Sequence, residues 1–218
     1  MSIHSFTSLL LGLSLLIANT VNAGPPPKRE LINEPEKIGG IVLYGHSLYG
    51  SLRGLDKDYD LPITSRGWGG ARAIDLLNAF DERVLPLQPK LIFMNIGANE
   101  LVRGSAGRFE RDFKKLIKHI TTTLPEATIV WQSVTPSPKA WNTIRKRQQN
   151  ATERAKKVLD KYPNAFFLDA EPFVVNENGE LIEQRFRDDG VHYNREGGIA
   201  YKAFMRPYVE SYWEKVNQ

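Results

Sequence analysis

Cysteine is absent from this 218-residue chain. That excludes disulfides, thiolate zinc sites and lipid attachment through an N-terminal cysteine. Histidine is scarce, with four in all. Beyond His4, the remaining His46, His119 and His192 show no metal-ligand spacing, so neither a metal nor a cofactor is expected. Charge of one sign does not dominate either: 29 Lys and Arg against 25 Asp and Glu leave a net charge of +4. With no concentrated basic patch, nucleic acid is not an expected partner. Long apolar runs are missing too. The longest, "TSLLLGLSLLI" at 7–17, falls short of the roughly 20 residues that span a bilayer.

That short run has the look of an export leader. It is followed by "ANTVNA", where Val21 and Ala23 fit a small-residue cleavage site, so residues 1–23 read as a signal peptide. The leader's start lacks Lys and Arg, which leaves an uncleaved anchor or a buried helix as the alternative. Residues 24–38, opening "GPPPKRELINEPEK", form a Pro-rich lead-in with no core of its own. The expectation is a periplasmic or secreted protein with no stable membrane insertion after cleavage. Residues 39–218 read as one domain, and the sequence sets no oligomeric state.

From residue 40 onward two kinds of pattern alternate. Apolar runs at 40–44, 61–64, 90–96, 127–132 and 165–169 suit strands buried on both faces. Helical periods fall at 71–80, 107–123, 139–160 and 195–214, with Pro207 expected to kink the last. Alternation of this kind predicts an α/β fold with a parallel sheet and helices on both faces. The polar clusters then share one edge, because each follows a strand: "GHSLYG", "SRGWGGAR", "GANE", "SVTPSP" and "RDDGVHYNREGG". In open parallel sheets, ligands bind at that carboxyl edge.

Those clusters hold what ester hydrolysis needs. Ser47 could attack a carbonyl, but a free hydroxyl requires a base. His192 could serve, since imidazole is the usual general base, and Asp189, three residues earlier, could reach the ring's Nδ1–H and fix its tautomer. The backbone N–H of Ser47, that of Gly70 and the amide of Asn99 could converge on an oxyanion. His46 lies beside Ser47, yet neighbours in an extended chain point to opposite sides, so His192 is the better base. Singly, each residue has a plainer reading: a turn serine, a helix cap at Asn99, a turn at Asp189, a tight turn at Gly69-Gly70. The basic run "RKRQQ" reads as a solvated helix face. Tyr49 and Trp68 fit core or pocket wall equally, and 49–60 is the candidate mobile lid.

The four blocks "YGHSL", "RGWGGAR", "IGANEL" and "DDGVHYNREG" resemble, in order and spacing, those of the SGNH hydrolases, or GDSL esterases and lipases. The resemblance covers about residues 39–212. It implies a flavodoxin-like three-layer α/β/α sandwich with a five-stranded parallel sheet and no cofactor. It also implies Ser47 as nucleophile, Asp189 and His192 as its triad partners, and Ser47, Gly70 and Asn99 as the oxyanion hole. Two departures stand out. His46 replaces the Asp of Gly-Asp-Ser, and Glu100 replaces the Asp of Asn-Asp; with Trp68, both become possible pocket residues. A true α/β-hydrolase is disfavoured because Ser47 comes too early, ahead of the several strands that precede the nucleophile in that fold. The implied substrates are carboxylic esters, O-acetylated carbohydrates or short-chain acyl esters first. Lysophospholipase or thioesterase action on lipids, transfer to a sugar hydroxyl, and a silent glycan- or ester-binding domain are the alternatives.

Overall fold

Five runs of β-branched and aliphatic residues form the strands: β1 (Ile41–Gly45), β2 (Ile63–Ser65), β3 (Leu91–Asn95), β4 (Thr128–Gln132) and β5 (Ala165–Leu168). All neighbouring pairs are parallel, in the order β2-β1-β3-β4-β5. The computed structural model describes residues 37–52, 54–104 and 106–218. The leader assigned to 1–23, and 24–36 of the lead-in, lie outside them. Among the described residues no helix is long and apolar enough to cross a membrane.

Eight α-helices among the described residues connect and flank the strands. They are α1 (Ser47–Ser51), α2 (Leu55–Tyr59), α3 (Ala73–Arg83), α4 (Ala98–Val102), α5 (Ala106–Thr123), α6 (Trp141–Leu159), α7 (Glu171–Val174) and α8 (Arg195–Lys215). Side chains alternate across a strand, so the sheet feeds two cores. Val42, Tyr44, Ile92, Met94, Ile129 and Trp131 pack with residues of α3, α5 and α6. Ile41, Leu43, Leu91, Phe93, Val130 and Leu168 pack with α1, α2, α7 and α8. The result is the expected α/β/α sandwich, with a flavodoxin-like strand order whose switch point lies between β1 and β3.

The long elements sit where the sequence places them, within a few residues. Strand β2 is offset because the Pro62 carbonyl accepts the Ile41 N–H at 2.9 Å, while proline has no N–H to return to a ladder. Helix α8 runs on through Pro207 to Lys215. The stretch expected to act as a lid is instead packed. Tyr49, Leu52, Leu55 and Tyr59 are buried against the sheet's second face, and Lys202 of α8 binds Asp58 at 2.6 Å.

Two loops at the carboxyl edge touch backbone to backbone. The Trp68 N–H donates to the Gly45 carbonyl at 3.1 Å. A Cβ on Gly67 would lie 2.6 Å from the Gly50 nitrogen and 2.8 Å from the His46 oxygen. A glycine at both 50 and 67 therefore lets the loop after β2 close on the turn after β1. Gly67→Ala must push main chain apart, so it is expected to lower stability by about 1–3 kcal/mol. Urea unfolding would measure this, and an unchanged midpoint would mean that the contact is slack.

Candidate active site

Strand β1 ends at Gly45, and Ser47 opens α1 directly above the switch point. As the first helical residue, Ser47 has a backbone N–H with no acceptor inside the helix. His46 caps this helix, its Nδ1 accepting the Leu48 N–H at 3.4 Å. That acceptor role needs an unprotonated Nδ1. Burial, then the charge of His192 nearby, pushes the His46 pKa down to about 4, so at neutral pH the ring is uncharged. It helps to hold the turn that carries Ser47 and adds no positive potential.

The partner of Ser47 arrives from the far end of the chain. Ser47 Oγ lies 2.9 Å from His192 Nε2, and His192 Nδ1 lies 2.8 Å from Asp189 Oδ2. With its ring proton on Nδ1, His192 donates to Asp189 and leaves Nε2 to accept from the serine. The other Asp189 oxygen accepts the N–H groups of Val191 at 2.8 Å and His192 at 2.9 Å. These bonds, with those from the imidazole, hold the Asp189 carboxyl well below the usual carboxylate range. The loop itself is pinned: Arg187 N–H donates to the His192 carbonyl at 2.8 Å and Lys139 N–H to that of Gly190 at 3.0 Å. A hydroxyl bonded to an oriented imidazole can give up its proton while attacking an electrophile.

The loop bearing Gly70 is wired to the strand on the other side of the switch point. Gly70 has φ 74°, a conformation glycine adopts without strain. Asn99 Nδ2 donates to the Ala71 carbonyl at 2.8 Å, keeping a second N–H. Its neighbour Glu100 accepts the Ala73 N–H at 2.6 Å through Oε1. Two consecutive α4 residues thus grip both ends of the turn that follows Gly70. Glu100 is 2% exposed, and its Oε2 has no partner. Burial outweighs these bonds and raises its pKa to about 6.

A cavity of about 340 Å³ opens beside Ser47, lined in part by His46, Asn99, Thr135, Ile144 and Gln148. Of the possible pocket residues, His46 lines it and Trp68 and Glu100 do not. Trp68 lies in the core against Tyr44, with the Arg83 guanidinium 5.2 Å from its ring centre. Glu100 lies behind the loop that carries Gly70, where it accepts the Ala73 N–H. Tyr49 is likewise core, its hydroxyl donating to Gln132 at 3.1 Å. The run read as a solvated face turns partly inward: Arg147 donates to the Leu101 carbonyl at 2.6 Å, and Gln148 donates to the Thr135 carbonyl at 3.2 Å. No separate sequence signal marks these cavity walls, since Ile144 reads as an ordinary core-facing helix position and Gln148 as part of a solvated face.

Residues 43–198 match the family model described as the GDSL-like Lipase/Acylhydrolase family. The chain belongs to that family. It is 26% identical over 111 residues to platelet-activating factor acetylhydrolase IB subunit alpha1 of Rattus norvegicus. That stretch is 51% of this chain and 47% of the relative, so the chain matches about half the length of such curated relatives. A GDSL-like lipase from Bacteroides thetaiotaomicron superposes with a TM-score of 0.64 at 21% identity, covering 83% of this chain and 92% of the other. The acetylxylan esterase Axe2 of Geobacillus stearothermophilus gives 0.61 at 18% identity, with coverages of 78% and 95%. At such identities the two structures speak to the fold.

Against the GDSL pattern, the two departures have different consequences. A neutral imidazole caps α1 at position 46, while Glu100 keeps an acid in a buried place. The Glu100 carboxyl binds its proton more tightly folded than unfolded, its pKa near 6 lying above the ordinary value of 4.5. Its contribution is therefore fully present below pH 4.5 and lost as pH rises to 6, a change of about 2 kcal/mol. Glu100→Gln keeps the acceptor for Ala73 and is expected to remove this pH dependence. The stability difference between wild type and variant, measured from pH 4 to 7, should favour the variant increasingly up to pH 6 and then level off. A difference independent of pH would mean that Glu100 is not held protonated in this way.

Proposed function

We propose that this GDSL-family chain is an exported serine esterase that hydrolyses carboxylic esters through an acyl-enzyme on Ser47. The observation that carries this reading is the unbroken chain of contacts from Ser47 Oγ to His192 Nε2 and from His192 Nδ1 to Asp189. Ser47 Oγ attacks the ester carbonyl and passes its proton to His192 Nε2. Asp189 stabilises the imidazolium that forms. The carbonyl oxygen, now negative, is held by the N–H groups of Ser47 and Gly70 and by the amide of Asn99. The intermediate collapses, the C–O bond to the alcohol breaks, and His192 returns the proton to the leaving oxygen. A water molecule then gives a proton to His192 as its oxygen attacks the acyl-enzyme. Collapse of that second intermediate releases the acid, and His192 gives its proton back to Ser47.

Substrates are short-chain acyl esters or O-acetylated carbohydrates. The printed names of a curated relative, an acetylhydrolase, and of a structural neighbour, an acetylxylan esterase, support this class. Export rests on the leader at 1–23. The silent-domain alternative draws on His46, but a neutral capping ring leaves the serine and its base in contact. Ser47→Ala is expected to abolish hydrolysis of p-nitrophenyl esters, and His192→Ala to lose at least about a hundredfold. His46→Ala should cost far less, through a weaker helix cap of about 0.5–2 kcal/mol. Undiminished turnover by Ser47→Ala would exclude the mechanism, and equal losses at 46 and 192 would exclude this assignment of the base.

A further inference from the structure

The cavity beside Ser47 has a directional relation to the reacting atoms. It is lined by Ser47 and Asn99, but neither by His192 nor by Gly70. Once Ser47 Oγ has added to an ester carbonyl, three other groups remain on the tetrahedral carbon. The oxyanion must face the N–H donors. The leaving oxygen must face His192 Nε2, the source of its proton. Only the acyl substituent is free to enter a cavity that excludes the imidazole.

The walls suit an aliphatic group. Buried Ala140, Ile144 and Phe186, partly buried Ala98 and the exposed Val102 and Val191 line it with apolar surface, which exceeds the polar surface given by Thr135, Ser137, Lys139, Thr143 and Gln148 among others. Val102 is 64% exposed, an apolar side chain left uncovered next to a nucleophile. A volume near 340 Å³ is at the lower end of cavities that bury small ligands, about 300–1,000 Å³. An acetyl group, with its single methyl, would leave most of it unused. We infer that this cavity is an acyl-chain pocket that selects linear acyl groups of about four to eight carbons over acetyl. The inference rests on the esterase reading and narrows it, favouring short aliphatic acyl esters over acetylated carbohydrate.

Each methylene moved from water into such a pocket is worth about fourfold in kcat/KM. The test is a series of p-nitrophenyl esters from acetate to decanoate, with Ser47→Ala as the control. A second series of acetates carries alcohols of increasing length. The expected result is a rise of at least about tenfold from acetate to hexanoate, a fall by decanoate, and little dependence on the alcohol. Ile144→Trp, which adds bulk at a buried wall, should lower the hexanoate-to-acetate ratio at least about tenfold. Val102→Trp, which adds bulk at an exposed wall, should act in the same direction and does not depend on repacking the core. A flat or falling acyl profile with hydrolysis still dependent on Ser47 would overturn the inference and leave the esterase standing. So would a steeper dependence on the alcohol than on the acyl chain, or an unchanged ratio in both variants. Absence of any Ser47-dependent hydrolysis by folded protein would overturn the esterase reading and the pocket assignment with it.

Discussion

A single hydrogen bond, from Ser47 Oγ to His192 Nε2, joins residues 145 positions apart. Holding two such distant groups 2.9 Å apart has a substantial loop-closure cost, and a surface bond between half-exposed side chains cannot supply it. The sheet does. Ser47 leaves β1 at the point where the strand order reverses, and the loop carrying His192 returns over the same edge before α8. Asp189 closes its own loop through two backbone N–H groups and orients the ring with its other oxygen. The reactive contact thus draws its strength from apolar burial elsewhere, in the two cores on either face of the sheet.

The remaining parts are coupled through main chain more than through charge. Gly50 and Gly67 let two loops meet without side chains between them. Asn99 and Glu100 hold Ala71 and Ala73, and so fix the turn after Gly70 from α4, across the switch point. At position 46 a carboxylate would bring a buried charge close to His192. The imidazole that stands there instead is neutral and still accepts the N–H of Leu48. Position 46 thus caps α1 without placing a second carboxylate beside His192.

Much of this was legible in the sequence because the long elements carry strong signals. Continuous apolar runs marked the buried strands, and the periodic faces of α5 and α6 marked two helices. The four polar blocks follow strands, which places them on one edge. Helices α1, α2, α4 and α7 were not legible, since four or five residues are too few for a helical period to show. Trp68 and Glu100 stay open in the sequence for another reason. An aromatic ring or an acid beside a reactive loop suits a pocket wall or a buried support equally well. The choice depends on which way the chain turns after Gly67 and Gly97. Ile144 and Gln148 were hidden as ordinary helix-face positions, because a cavity is defined by what faces a helix from elsewhere.

The central claim is that this geometry makes Ser47 a nucleophile. A fluorophosphonate probe tests it most directly, because phosphonylation requires a serine activated by its neighbours and no knowledge of the substrate. Incubation of the folded protein, followed by intact-mass and peptide analysis, should show one adduct, on Ser47, and none on the Ser47→Ala variant. A folded protein that never labels, or an adduct that persists when Ser47 is replaced, would contradict the account.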